Sequence, residues 1–248
     1  MISVEGLRKS FGPQAVLRGI DLKIETGEIL AIIGRSGGGK SVLLKHLLRL
    51  LRPDAGRVIV DGVDITRLRS RQLEQVRRRY GVVFQGGALF DSMTVFENVT
   101  FPLREKTSLP WREIAERANL RLEQVGLGGI GHKDPAEISG GMRKRVAIAR
   151  ALVTDPEIVF FDEPTTGLDP ILVNAIHRLI LDLHGKLRFT AVIVSHEIPE
   201  IFDLAETIAM LHEGVIVEAG AAAAIRASAN PVVRQFIHGE PDGTPSPM

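Results

Sequence analysis

The sequence predicts an α/β fold in which a buried parallel sheet is built around a phosphate-binding loop. Three observations carry that prediction. Ile29-Leu-Ala-Ile-Ile33 is an uninterrupted apolar run, the pattern of a strand covered on both faces. It turns directly through Gly34-Arg-Ser-Gly-Gly-Gly39-Lys40-Ser41 into an apolar-periodic helix marked by Leu43, Leu44, Leu47, Leu48 and Leu51. Two further apolar runs, Ile158–Phe161 and Thr190–Val194, also end in polar residues with chemistry to offer, as strands of an open α/β sheet do at a ligand crevice.

The loop matches the pattern G-x-x-x-x-G-K-[ST] in its strand–loop–helix setting. Its residues, Gly34, Arg35, Ser36, Gly37, Gly38, Gly39, Lys40 and Ser41, let the backbone wrap close to phosphates, with the N–H groups and the helix N-terminus facing the anion. Lys40 is expected to reach the β- and γ-phosphates and the Ser41 hydroxyl to ligate Mg²⁺. The chain is therefore expected to bind a nucleoside triphosphate.

Composition limits the alternatives. Of 248 residues, 44% are hydrophobic and 25% charged, as in an ordinary soluble globular protein, and the net charge of +1 offers no electrostatic case for a nucleic-acid partner. With no cysteine there is no disulfide, thiol nucleophile or zinc–thiolate site. Met1-Ile-Ser-Val-Glu-Gly-Leu-Arg-Lys9 alternates and carries charge, so no secretory leader is expected, and no run approaches the roughly 18 apolar residues of a membrane span. A membrane role must come through a separate partner.

Taken in order, residues 1–30 are expected as strands, with a turn at Gly12-Pro13 and a strand over Val16–Ile24. Phe11 stands just before that turn. Its ring either stacks on an adenine or simply packs, and the sequence leaves both open. A short strand ending in a turn is expected over 57–62. Leu68–Arg79 is an arginine-loaded helix, taken as a solvated one with Arg77, Arg78 and Arg79 at the negative end of its dipole rather than as a nucleic-acid or phospholipid patch. Gly81–Gln85 is expected as a second buried strand ending on an amide, which can face a metal or an attacking water. From Gly86 to about Asp155 the strand signal fades into an inserted helical segment, with helical spacing over Trp111–Val125.

Ser139-Gly140-Gly141 opens a basic, apolar-periodic helix, with Glu137 and Ser139 suited to capping and the glycines making a second anion site. Ile158–Phe161 ends in Asp162 and Glu163. Asp162 suits Mg²⁺ organisation, and Glu163 is placed to orient or deprotonate the attacking water. Thr190–Ser195 ends in His196, suited to hold the γ-phosphate and water. Four strands thus deliver Gly34, Gln85, the carboxylates and His196 to one sheet edge. Thr207–Glu218 is expected as strand–turn–strand and Ala221–Ala229 as a helix. The tail, rich in Pro and Gly from Gly239 to Met248, is expected to stay disordered unless a partner orders it.

The ordered set of Gly34–Ser41, Gln85, Ser139–Gly141, Asp162-Glu163, Leu168-Asp169 and His196 resembles the ATP-binding cassette (ABC) ATPases over essentially the whole chain. The resemblance implies a RecA-like P-loop core with an antiparallel β-subdomain (1–88 and 158–228), a helical subdomain (89–157) that couples to membrane subunits, and a C-terminal extension (229–248). It also implies that Ser139, Gly140 and Gly141 of one copy close over the ATP held by another, head to tail, with Asp169 near the shared interface. A single ATP cannot satisfy two anion sites so far apart in sequence unless a two-fold partner supplies the second. The family motif usually reads Leu-Ser-Gly-Gly-Gln; here Met142 replaces the amide and cannot hydrogen-bond as it does.

Ser-Gly-Gly-Met-Arg, Phe84–Val99, Phe101–Glu105 and Val233–Gly243 are similar to the ATPase subunits of maintenance-of-lipid-asymmetry transporters. That likeness implies a homodimer at the cytoplasmic face of an inner membrane, beneath two permease subunits, with a STAS-domain protein and a periplasmic MCE-domain lipid-binding protein as partners. The cargo would be phospholipid moving between the inner and outer membranes. A cassette for amino acids or solvents is the alternative. A soluble cassette acting on DNA or ribosomes fits less well, since neither a tandem cassette nor a long coiled-coil insert is present.

Overall fold

The computed structural model describes residues 1–239, so most of the expected partner-ordered tail lies outside the described residues. The chain forms two compact units: Met1–Leu73 with the chain from Val192 onward, and Glu74–Ala191. These limits differ from the sequence-based boundaries at 88/89 and 157/158, because the second unit takes in two strands and a long helix besides the helical segment.

In the first unit, β1 (Ile2–Phe11) and β2 (Gln14–Ile24) form an antiparallel hairpin with Phe11 opposite Gln14. β3 (Ile29–Ile33) is buried at every position, as its unbroken apolar run requires, and feeds through the loop into α1 (Lys40–Leu47). β4 (Ala55–Val60) and the two-residue β5 (Val63–Asp64) complete an antiparallel sheet ordered β2-β1-β4-β5. The strand expected over 57–62 starts two residues earlier and ends in the expected turn after Val60, and β5 is a short return beyond it. α2 (Ser70–Arg77) spans the first division between the units, so its second half and the residues after it belong to the second unit. Just past it the Arg79 guanidinium forks onto Glu157 at 2.9 and 2.6 Å, so at least one of the three consecutive arginines is committed to an ion pair.

The second unit contains β6 (Tyr80–Val83), α3 (Val95–Lys106), α4 (Trp111–Gln124), α5 (Gly140–Leu152), β7 (Ile158–Asp162) and α6 (Pro170–Leu187). β6 stops at Val83, two residues short of the expected end, and Gln85 lies in the turn beyond it. The second division between the units falls within β8 (Thr190–Val194). The first unit resumes with α7 (Ile201–Leu204), β9 (Thr207–His212), β10 (Val215–Ala221), α8 (Ala222–Arg226) and α9 (Pro231–His238). β10 continues through Ala221, so the helix expected from that residue starts one position later and is shorter. The strand order is β10-β9-β3-β8 in the first unit and β8-β7-β6 in the second, with β3 parallel to β9 and β6 parallel to β7. No helix among the described residues is long and apolar enough to cross a membrane.

α1 packs Leu43, Leu44 and Leu47 inward and buries His46 beside them, leaving the imidazole only 1% exposed. Its Nδ1 pairs with the Val42 carbonyl at 2.7 Å. Burial is the largest cause holding its pKa below the ordinary 6.5, against the opposing Val42 and Arg52 carbonyls. The folded chain therefore keeps His46 neutral at a pH where the unfolded chain takes up a proton. This contribution is fully present above the unfolded pKa and is lost as the pH falls below it. Thermal melts from pH 7.5 down to 5 should show a declining midpoint, with a shallower decline in His46→Gln. An unchanged slope in that variant would remove His46 as a source of the acid sensitivity.

Candidate nucleotide-binding and hydrolysis site

The loop of the first unit has little freedom of sequence at its start. Gly34 has φ 149°, and a Cβ there would lie 2.2 Å from the Leu211 carbonyl oxygen on β9. Only glycine lets the chain leave β3 so close to its neighbour. The loop then turns, with the Gly38 N–H donating to the Arg35 carbonyl at 3.1 Å, while Arg35, Ser36 and Gly37 stay exposed. Gly39 caps α1 with no side-chain bond. Lys40 is 4% exposed, and its Nζ donates to the Gly34 and Arg35 carbonyls at 2.7 and 2.9 Å. The ammonium is thus held inside the loop it is expected to serve. Ser41, half-buried, is the second residue of the helix.

His196 belongs to the same unit and follows β8 by two residues. The Ser195 N–H donates to the Ile32 carbonyl of β3 at 3.2 Å, which fixes where β8 ends relative to the start of the loop. Ser195 Oγ then accepts from the Glu197 N–H at 3.1 Å and turns the chain, so that the imidazole is exposed rather than packed. Phe11, 46% exposed, sits at the β1–β2 turn with Lys9 Nζ 5.5 Å from its ring centre. A groove of about 430 Å³ runs between that hairpin and the loop, lined by Pro13, Gln14, Val16, Gly37, Gly38 and Gly214.

In the second unit β6 and β7 run parallel with Val83 opposite Phe161. Two residues further along each strand lie Gln85 and Glu163, and this register brings them together. Gln85 Nε2 donates to Glu163 Oε2 at 3.0 Å. The Thr166 hydroxyl donates to the same oxygen at 3.1 Å. Two donors on one oxygen orient the carboxylate. Glu163 itself has φ 49°. Asp162 is the last residue of β7 and half-buried. Sequence reasoning did not single out Thr166; a hydroxyl residue in the turn after two carboxylates was the available signal.

Ser139 caps α5, its Oγ accepting from the Met142 N–H at 3.3 Å, so that donor of the second anion site is engaged within its own helix. Gly140 and Gly141 begin the helix, near Leu168 and Leu172. Asp169 caps α6, one carboxylate oxygen accepting from the Ile171 and Leu172 N–H groups at 3.0 Å each. It is exposed and serves a structural purpose whatever else it meets.

The expected cation is Mg²⁺. Among the described residues no three His, Cys, Asp or Glu side chains converge as an all-protein metal cage. The residues expected to hold it offer a Ser41 hydroxyl, the Gln85 amide oxygen and the Asp162 carboxylate, a sparse and hard oxygen set. Gln85 has already turned its amide nitrogen to Glu163. That chemistry fits Mg²⁺, which takes few protein ligands and completes its shell with phosphate oxygens and water.

A family model described as ABC transporter matches residues 17–166, more than half of the chain. The probable ribonucleotide transport ATP-binding protein mkl of Mycobacterium leprae is 43% identical over 96% of this chain, which spans 69% of that protein. The intermembrane phospholipid transport system ATP-binding protein MlaF of Haemophilus influenzae is 40% identical over 98% of this chain and 92% of its own length. Among solved structures, a dimeric ATP-binding cassette in a post-hydrolysis state with ADP and Pi is 31% identical, with a TM-score of 0.81 over 90% of this chain and 99% of that one.

Lys40→Ala removes the side-chain ammonium that donates to the Gly34 and Arg35 carbonyls. Titration with a fluorescent ATP analogue should show affinity or turnover lowered by about ten-fold or more, the scale of a lost charge-assisted phosphate contact. Wild-type affinity together with wild-type turnover would exclude Lys40 from phosphate binding.

Proposed function

This chain belongs to the ABC transporter family as an ATP-hydrolysing subunit, and we propose that two copies pair head to tail to drive phospholipid between the inner and outer membranes. The observation that carries the hydrolytic part is the Gln85–Glu163–Thr166 arrangement, a carboxylate oriented at the end of a buried strand. In the proposed reaction Glu163 takes a proton from water as the water oxygen attacks the γ-phosphorus. The bond to the β–γ bridging oxygen breaks, and ADP and phosphate leave. Lys40 and the loop amides hold the phosphates, His196 holds the γ-phosphate and water, and Phe11 takes the adenine at the edge of the hairpin groove. Ser41, Gln85 and Asp162 would hold Mg²⁺, which when bound would supply charge neutralisation on the phosphates. Ser139, Gly140 and Gly141 close over the ATP of the other copy, with Asp169 near the shared interface.

The cargo reading is supported by the near full-length likeness to the phospholipid transport subunit. The helical subdomain, 89–157, is proposed to face the permeases. Support comes from a groove of about 450 Å³ lined by Phe84, Phe90, Phe101, Pro102 and Lys106, in which Phe84 and Phe90 remain 40% and 41% exposed. Two permeases, a STAS-domain protein and a periplasmic MCE-domain protein complete the proposed assembly, placing this subunit peripherally at the cytoplasmic face of the inner membrane. The likeness to the mycobacterial probable ribonucleotide transport protein favours a second cargo class, ribonucleotides.

Glu163→Gln should bind ATP normally, accumulate as an ATP-bound dimer and lose turnover by about a hundred-fold or more, the scale of a lost general base. Normal hydrolysis by this variant refutes the base assignment. Purification with its permeases, followed by extraction, should yield phospholipid. Stimulation of ATP hydrolysis by ribonucleotides rather than phospholipid vesicles would favour the second cargo.

A further inference from the structure

Arg150 lies on α5, roughly three turns beyond the Ser139–Gly141 start of that helix, and is only 8% exposed. Its guanidinium donates from one nitrogen to the Gly87 carbonyl at 2.6 Å and from the other to the Ala88 carbonyl at 2.8 Å. The Phe90 ring lies 5.8 Å from the same guanidinium. These carbonyls belong to the segment immediately after Gln85, which is unusual in its backbone. Gly86, Gly87 and Ala88 have φ of 77°, 83° and 47°, three left-handed residues in succession. The Gly87 N–H closes a turn onto the Phe84 carbonyl at 2.9 Å, with Gln85 inside it. A left-handed run of this kind persists only where its surroundings over-determine it. Arg150 supplies two of the constraints, and a hypothetical Cβ on Gly87 would meet the Ala147 Cβ at 3.4 Å, so α5 also approaches the turn directly.

We propose that Arg150 is a positioning residue: its fork on Gly87 and Ala88 aims the Gln85 side chain, so that the Gln85–Glu163 hydrogen bond follows the helix that begins at Ser139-Gly140-Gly141. Within one subunit, the end of the molecule assigned to a second copy's ATP is thereby tied to the carboxylate assigned to its own. The forked contact matters more than the charge. An ammonium makes one of these two bonds from a point, whereas the planar guanidinium makes both at a fixed angle. Arg150 touches neither water nor phosphate in this scheme and acts only through Gln85. The proposal rests on the assignment of Glu163 as the base.

The test is single-turnover hydrolysis with this chain in excess over ATP and with Mg²⁺ saturating. The variants are Arg150→Lys, Arg150→Met, Gln85→Ala and the two double variants, with ATP affinity and melting temperature measured alongside. Arg150→Met should slow hydrolysis by about ten-fold or more while the Kd for ATP stays within about two-fold, and Arg150→Lys should fall between it and wild type. In the Gln85→Ala background the same changes at Arg150 should alter the rate by less than about two-fold, because the side chain they act through is gone. Should Arg150→Met fail to fold, Arg150→Lys, which keeps the charge and the stem, carries the comparison. Equal fractional losses in both backgrounds, or a loss confined to ATP affinity, overturn the proposal. Glu163→Gln in the same assay separates the two readings. Retained turnover there removes the base and this proposal together, whereas abolished turnover with independent Arg150 and Gln85 effects removes the Arg150 link alone.

Discussion

The parallel pairing of β6 with β7 is the constraint on which the carboxylate chemistry depends. It is locked at the start of the two strands, where Arg79 forks onto Glu157 and its carbonyl accepts from the Glu157 and Ile158 N–H groups at 3.0 and 3.2 Å. Tyr80 packs edge-on against Phe160, 5.1 Å between ring centres. The consequence is read at the other end, where Gln85 meets Glu163. A slip of one residue would move one partner by about 3.3 Å and turn its side chain to the opposite face. A surface ion pair at one end of two short strands thus sets a polar contact at the other.

The first unit obeys the same logic with backbone in place of side chains. The loop can approach an anion only because Gly34 lets β3 pass the Leu211 carbonyl without a side chain between them. The Ser195–Ile32 hydrogen bond then sets where His196 emerges relative to that loop. In both units the chemistry-bearing residues lie at strand ends or just past them, and the runs Ile29–Ile33 and Ile158–Phe161 behind them carry apolar side chains alone.

Much of this was legible because it depends on short-range patterns. Unbroken apolar runs mark β3, β7 and β8, and the loop pattern marks the start of α1. The contact between Gln85 and Glu163 was not legible, since register between strands far apart in sequence leaves no local trace. α3 lies within the expected helical segment but was not delimited, for a local reason. Pro102 lies inside it and argues against a helix, although Thr94 and Glu97 form a capping box that announces one. Arg150 looked like one more arginine on a basic helix, because a guanidinium that grips backbone carbonyls has no sequence signal at the carbonyl end. The end of β10 was misplaced because Ala221 to Ala224 suits a helix by propensity, while its ladder to β9 extends through Ala221 opposite Thr207.

The left-handed backbone at Glu163 has an evolutionary reading. A non-glycine residue at φ 49° costs about 1 kcal/mol relative to glycine or asparagine, which adopt that region readily. Selection for stability alone would drift this position towards those residues, and either would discard the carboxylate that Gln85 and Thr166 hold. Position 163 is therefore a place where robustness and turnover pull in opposite directions. A chain of this fold that had given up hydrolysis would be free to relax there, and a small residue after the strand-end aspartate would be the mark of a cassette that only binds.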